Sequence, residues 1–207
     1  MAIVLDGTAN TVTPLNGALG ATTPSTVAAT TVVASSTIKG ATTIAVGNAT
    51  PSASGAGITF PATQSASTDA NTLDDYEEGT WTPNAGSTGG NSTGQTYAVQ
   101  QGNYRKIGSL VICSFYIDLT TVGTIPAGTY AVKGLPFNSA SGTIGTGSIN
   151  YIIGSNVAAY SFLLSMEQNN NVAYTNTLTS APSTSVTNSN IWKNGMALQG
   201  TIIYFTS

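Results

Sequence analysis

Charge is nearly missing from this chain. Five Lys and Arg and eight Asp and Glu serve 207 residues, so only 6% are charged, against about 25% in an ordinary soluble domain. Solvated helix faces are built from Lys and Glu, and none can be drawn here. Thr, Ser, Asn and Gly take their place, with Val, Ile and Tyr between them, which favours strands. Disorder usually needs low hydrophobicity with high net charge. Here 41% of residues are hydrophobic and the net charge is −3. The expectation is an all-β protein kept in solution by hydroxyls and amides.

Several function classes are excluded by what is absent. Five cations make no basic patch, so no nucleic-acid partner is expected. There is no histidine, which removes Ser-His-Asp and Cys-His triads and His-based metal sites. The Gly90-Asn91-Ser92-Thr93-Gly94 match to a nucleophile elbow is therefore read as chance. Cys113 is the one cysteine; within the apolar run Leu110–Leu119 it reads as a small buried hydrophobe. No cofactor or metal is expected. Met1 to Gly7 lack the charged and apolar regions of a signal peptide. No apolar run approaches the ~18 residues of a membrane span. Synthesis in a cytoplasm and no membrane insertion are the expectations.

The chain changes character along its length. Residues 1–70 carry few large apolar groups, with Phe60 the sole aromatic. Gly20-Ala21-Thr22-Thr23 recurs as Gly40-Ala41-Thr42-Thr43, an echo too short for a solenoid. Ordering a residue costs roughly 1–2 kcal/mol. A dozen or so modest apolar side chains, at roughly 1.5–3 kcal/mol each, cannot offset that over such a length. Either the segment is disordered or it buries its apolar groups against other chains. The β-branched residues recur throughout, which favours association. Small Ala, Gly and Ser allow close approach, and an extended strand rises about 3.3 Å per residue. Residues 1–70 are thus expected to form an extended stalk.

Residues 84–207 hold nearly all the aromatics. Strand-like runs occupy Thr96–Gln100, Ser109–Leu119, Thr129–Lys133, Ser148–Ile153, Ala158–Met166, Val172–Leu178 and Met196–Phe205. Turn signals such as Pro126-Ala127-Gly128, Gly154-Ser155-Asn156 and Asn194-Gly195 separate them. This pattern predicts an antiparallel β-sandwich of jelly-roll type.

Between the halves, residues 71–83 read Asn-Thr-Leu-Asp-Asp-Tyr-Glu-Glu-Gly-Thr-Trp-Thr-Pro. Thr72 followed by Asp75 resembles a capping box, Asp74 and Asp75 suit a first helical turn, and Gly79 suits a left-handed stop. The reading is one helical turn acting as an acidic hinge. Leu73, Tyr76 and Trp81 serve as apolar anchors of the hinge and its candidate contacts with sister chains.

The string Leu73-Asp-Asp-Tyr-Glu-Glu-Gly-Thr-Trp-Thr-Pro83 resembles a linker of tail-fibre and related fibre proteins of tailed bacteriophages. Gly57-Ile58-Thr59-Phe60-Pro61-Ala62 resembles the lead-in to that linker. Tyr97, Gln101-Gly102, Tyr104 and Lys106-Ile107-Gly108 resemble the segment after it, and Gly134-Leu135-Pro136-Phe137 a later element. Pro14-Leu15-Asn16-Gly17 through Thr23-Pro24-Ser25-Thr26 resembles the Thr/Ala-rich shafts of such proteins. The resemblance implies a homotrimeric protein on the exterior of the virion. Its N-terminal segment would dock to other virion proteins, and its C-terminal β-domain would point outward. A tail fibre contributing to host attachment leads. A head fibre or decoration protein is the rival, because the chain is short. A polysaccharide depolymerase is the reading from another class.

Sharp readings compete with plain ones. A depolymerase needs two carboxylates about 5–9.5 Å apart across a cleft, whereas Asp74, Asp75, Glu77 and Glu78 are neighbours at a hinge. No Asp-x-Asp-x-Asp-Gly calcium loop is present, so these carboxylates are expected to point outward into water. Tyr151, Tyr160, Tyr174 and Trp192 are the candidate contacts with a host-surface glycan or protein, since rings stack on apolar sugar faces. Equally, they fit core positions.

Overall fold

The structure is a computed structural model that describes residues 43–51, 54–64, 67–159, 161–178, 187–188 and 190–207. The stalk expected over residues 1–70 falls largely outside them, as does Tyr160. Its described part contains a small parallel ladder. Strand β1 (Thr43–Ala45) pairs with β2 (Gly57–Thr59), and the Val46 amide donates to the Thr59 carbonyl at 3.0 Å.

The rest of the described chain is strand and loop. The strands are β3 (Tyr76–Trp81), β4 (Asn84–Ser87), β5 (Thr96–Ile107), β6 (Leu110–Thr121), β7 (Tyr130–Lys133), β8 (Gly145–Ile153), β9 (Ser161–Met166), β10 (Val172–Leu178), β11 (Thr187–Asn188) and β12 (Met196–Phe205). They form one antiparallel sheet in the order β3-β5-β6-β12-β8-β9-β10-β7-β4, with β11 added alongside β10. The two ends of that order, β3 and β4, are joined by Thr82 and Pro83 alone. The sheet must therefore curl until its edges meet.

Curling brings two flanks of the sheet face to face, as in a sandwich. Phe115, Ile117, Leu198 and Ile202 from β6 and β12 share one core with Leu164, Val132 and Ala85 from the opposite flank. Period-two alternation selects these residues: along β6, Val111, Cys113, Phe115, Ile117 and Leu119 are buried while alternate residues are not. Asn194 and Gly195 form the turn that opens β12, and the Asn194 side-chain oxygen accepts from the Val122 amide at 2.7 Å.

The expected helical turn at residues 71–83 is overturned. Residues 76–81 form the edge strand β3, paired with β5 from Tyr76↔Ile107 to Trp81↔Gly102. Capping logic was local, but the partner strand comes from far along the chain. Gly79 is a mid-strand residue lying under the Tyr104 ring; an added Cβ would sit 2.8 Å from that ring. Gly102 lies in the same way under Trp81. A glycine on each strand makes room for an aromatic ring on the other. The sheet therefore takes in residues that the sequence reading gave to the hinge.

Candidate functional site

The acidic junction is knitted into the sheet. Along β3, Glu77, Gly79 and Trp81 are the more buried residues, while Tyr76, Glu78 and Thr80 are exposed. Asp75, just ahead of the strand, is ion-paired with Lys106, and both side chains are almost wholly buried. The Lys106 ammonium also lies 5.9 Å from the centre of the Phe137 ring. Glu77 accepts a hydrogen bond from the Tyr104 hydroxyl, which holds that phenol up to about 12. Glu78 accepts from Tyr76 at 2.9 Å and pairs with Arg105 at 2.9 Å on the surface. Asp74 accepts from the Ser67 amide at 2.8 Å, which holds its carboxyl below the ordinary value. The expectation of solvated, outward carboxylates fails for Asp75. Its inward position is tenable because Lys106 stands beside it as a buried partner of opposite charge.

The anchors divide. Leu73 and Tyr76 are exposed. Trp81 is buried inside its own chain, edge-on to Phe115 at 6.0 Å between ring centres. Its indole N–H is shared between the Asn103 and Ser114 carbonyls at 3.3 and 3.2 Å. Trp81 is thus a core residue of its own chain. Its ring fills the space that Gly102 leaves empty.

The candidate receptor aromatics divide as well. Trp192 is 3% exposed and donates its indole N–H to the Gly86 carbonyl at 3.2 Å, tying the chain ahead of β12 to β4. Tyr174 is buried in β10, with its hydroxyl accepting from the Asn170 amide at 2.7 Å. Both are corrected to structural roles, because the curl of the sheet turns them inward. Tyr151 alone among the described candidates faces solvent, at 42% exposure.

Tyr151 lies beside a shallow trough that sequence reasoning missed. The trough crosses the outer face of β5, β6, β12 and β8 and has a volume of about 250 Å³. Gln101 pairs with Tyr116, Tyr116 with Gln199, and Gln199 with Tyr151. These four make a transverse row of amide, phenol, amide and phenol. The next row holds Asn103, Ser114, Thr201 and Ser148. A register shift between Gln199 and Gly200 leaves Asn150 without a partner in β12, so Asn150 and Tyr151 are both exposed. That is a β-bulge, which re-aims side chains. The signal lay in the polar alternation of Gln101-x-Asn103, Ser114-x-Tyr116 and Gln199-x-Thr201, but the register that aligns them is non-local.

Among the described residues, no group of three or more His, Cys, Asp and Glu is placed to hold a metal ion. No helix among them is long and apolar enough to cross a membrane. No family model, curated protein or solved structure matches this chain.

Proposed function

We propose that this chain is a non-enzymatic structural protein of a bacteriophage virion. It acts as a fibre with a homotrimeric N-terminal stalk and a jelly-roll-like β-domain, and contributes to attachment at the host surface. The observation that carries this reading is how the linker string is used. Asp75 pairs with Lys106, Glu77 accepts from Tyr104, Gly79 lies under the Tyr104 ring and Trp81 lies over Gly102, all in the segment that follows. These inward-facing residues of the string are taken up in holding the sheet together. This fits a module that joins a shaft to a β-domain.

The region ahead of the string favours association. Ile44, Val46 and Ile58 on the β1-β2 ladder are exposed, and an isolated two-stranded ribbon is marginal in water. Sister chains packed beside it would cover those side chains. Leu73 and Tyr76 stand exposed at the start of β3, where neighbouring subunits would converge.

Immunogold labelling of particles with an antibody to residues 84–207 tests the reading. Label at the tail tip, with purified protein blocking adsorption, is the expected result. Label over the head would make this a capsid fibre. Unlabelled particles, or shortening of host polysaccharide by the purified chain, would overturn the proposal.

A further inference from the structure

We infer that the trough on the outer face of β5, β6, β12 and β8 is a binding site for an uncharged oligosaccharide, a step that rests on the host-attachment reading and names its ligand. Three observations on these residues converge.

The lining is neutral. Apart from phenols, no ionisable side chain lines the trough. Arg105 and Glu78, further along the same face, are spent on each other. A phosphate or uronate needs a cation to offset its desolvation, and none is offered. An aliphatic ligand would strip water from amides and return nothing. A neutral polyol matches, since an amide both donates and accepts, as vicinal hydroxyls do.

The amides are also uncommitted. Among the described residues, the side chains of Gln101, Asn103, Asn150 and Gln199 make no intrachain hydrogen bond. Gln100, one residue from Gln101, behaves otherwise: its amide donates to the Asn84 side chain at 2.8 Å and the Pro83 carbonyl at 3.1 Å. The same residue type is tied down where it braces the fold and free where it lines the trough.

Finally, the spacing suits a chain of sugar rings. The Gln101–Tyr116–Gln199–Tyr151 row crosses four strands, which at the usual inter-strand distance is roughly 14 Å, the reach of a short oligosaccharide. Phenol rings alternate with amides along it, so a pyranose ring can lie on a tyrosine while its hydroxyls meet the flanking amides. The bulge at Asn150 keeps Tyr151 outward and adds a further amide at the row's end.

The test uses the full-length purified chain with cellotriose, mannotriose and chitotriose as neutral probes and trigalacturonic acid as the anionic one. Binding is read by saturation-transfer NMR and calorimetry. At least one neutral trisaccharide is expected to bind, with trigalacturonic acid about tenfold weaker or absent. Gln199→Ala and Tyr151→Ala should each weaken the neutral sugar by about tenfold, with thermal stability unchanged. Thr120→Ala, elsewhere on β6, should bind as wild type. Failure of every neutral probe, equal binding of the acid, or undiminished binding by both trough variants would overturn the inference. Particle labelling separates the two readings. Labelled particles whose chain binds no sugar refute the trough alone. Sugar binding that Gln199→Ala abolishes, in a chain absent from particles, refutes the virion role alone.

Discussion

The Asp75 carboxylate and the Lys106 ammonium, 31 residues apart in sequence, form a buried ion pair that fastens the acidic junction to β5. Its exposed counterpart, Glu78 with Arg105, lies on the other face of the same strand pair. The two pairs illustrate different energetics. Water screens the outer one to at most about 1 kcal/mol. The inner one cannot lose a partner without stranding a charge.

Asp75→Ala or Lys106→Ala alone should therefore destabilise the β-domain by about 3–5 kcal/mol. The joint replacement Asp75→Leu with Lys106→Met should recover most of that loss, because no charge is left stranded. Urea unfolding of the three variants checks the sign and order. A joint variant as unstable as the singles would refute the account.

Gly102→Ala should cost about 1–3 kcal/mol by overpacking, since the new Cβ would lie 2.5 Å from the Trp81 ring nitrogen. Trp81→Ala should cost about 3–5 kcal/mol. In the Trp81→Ala background, Gly102→Ala should be close to silent. The coupling in that double-mutant cycle is the quantity to measure.

Stability should decline at alkaline pH. Burial pushes the Cys113 thiol from 9.0 up to about 12, and the Glu77 hydrogen bond holds Tyr104 up to about 12. The folded chain keeps protons that the unfolded chain gives up. This contribution is thus complete below about pH 9 and is lost as pH rises towards about 12. Urea midpoints at stepped pH should fall across that window, and a thiol reagent at neutral pH should leave Cys113 unmodified until the chain unfolds.

At the acid end the effect is local. The Ser67 amide bond holds the Asp74 carboxyl below its ordinary 3.8. That contribution is present above 3.8 and fades as pH falls through the lower folded value. The Ser67 amide resonance should follow a titration with its midpoint below 3.8. A midpoint at or above 3.8 would contradict the contact.

Trp192 and Tyr151 should separate cleanly. Trp192→Ala removes a buried ring and should cost about 3–5 kcal/mol. Tyr151→Ala removes an exposed one and should stay within about 0.5 kcal/mol of wild type. Thermal unfolding of the two variants compares them directly.

Strands whose own residues alternate could be read directly. Val172–Leu178 and Met196–Phe205 match the sequence reading end to end, and Ser109–Leu119 is displaced by a residue or two. The expected strand Thr96–Gln100 is only the first part of β5, which runs on through Gln101-Gly102-Asn103 to Ile107. That glycine is there for Trp81, which only the β3-β5 register reveals. The same non-local register hid β3 itself: an inward Asp75-x-Glu77-x-Gly79-x-Trp81 series makes sense only opposite Lys106, Tyr104 and Gly102. Aromatic residues gave the weakest guide to exposure. Tyr174 and Tyr151 each sit within a strand among mixed polar and apolar neighbours, and the curl of the sheet decides which turns inward. The trough stayed hidden for a related reason, since its rows are assembled from four strands.

The attachment of β3 has a mechanical side. Tension transmitted along this strand from the chain ahead of residue 75 would meet the Asp75–Lys106 clasp and six rungs of the β3-β5 ladder together. Loaded in shear, these bonds must fail almost at once instead of peeling one by one. A β-domain hung by such a strand withstands tugging from its tether better than the modest strength of any single rung suggests.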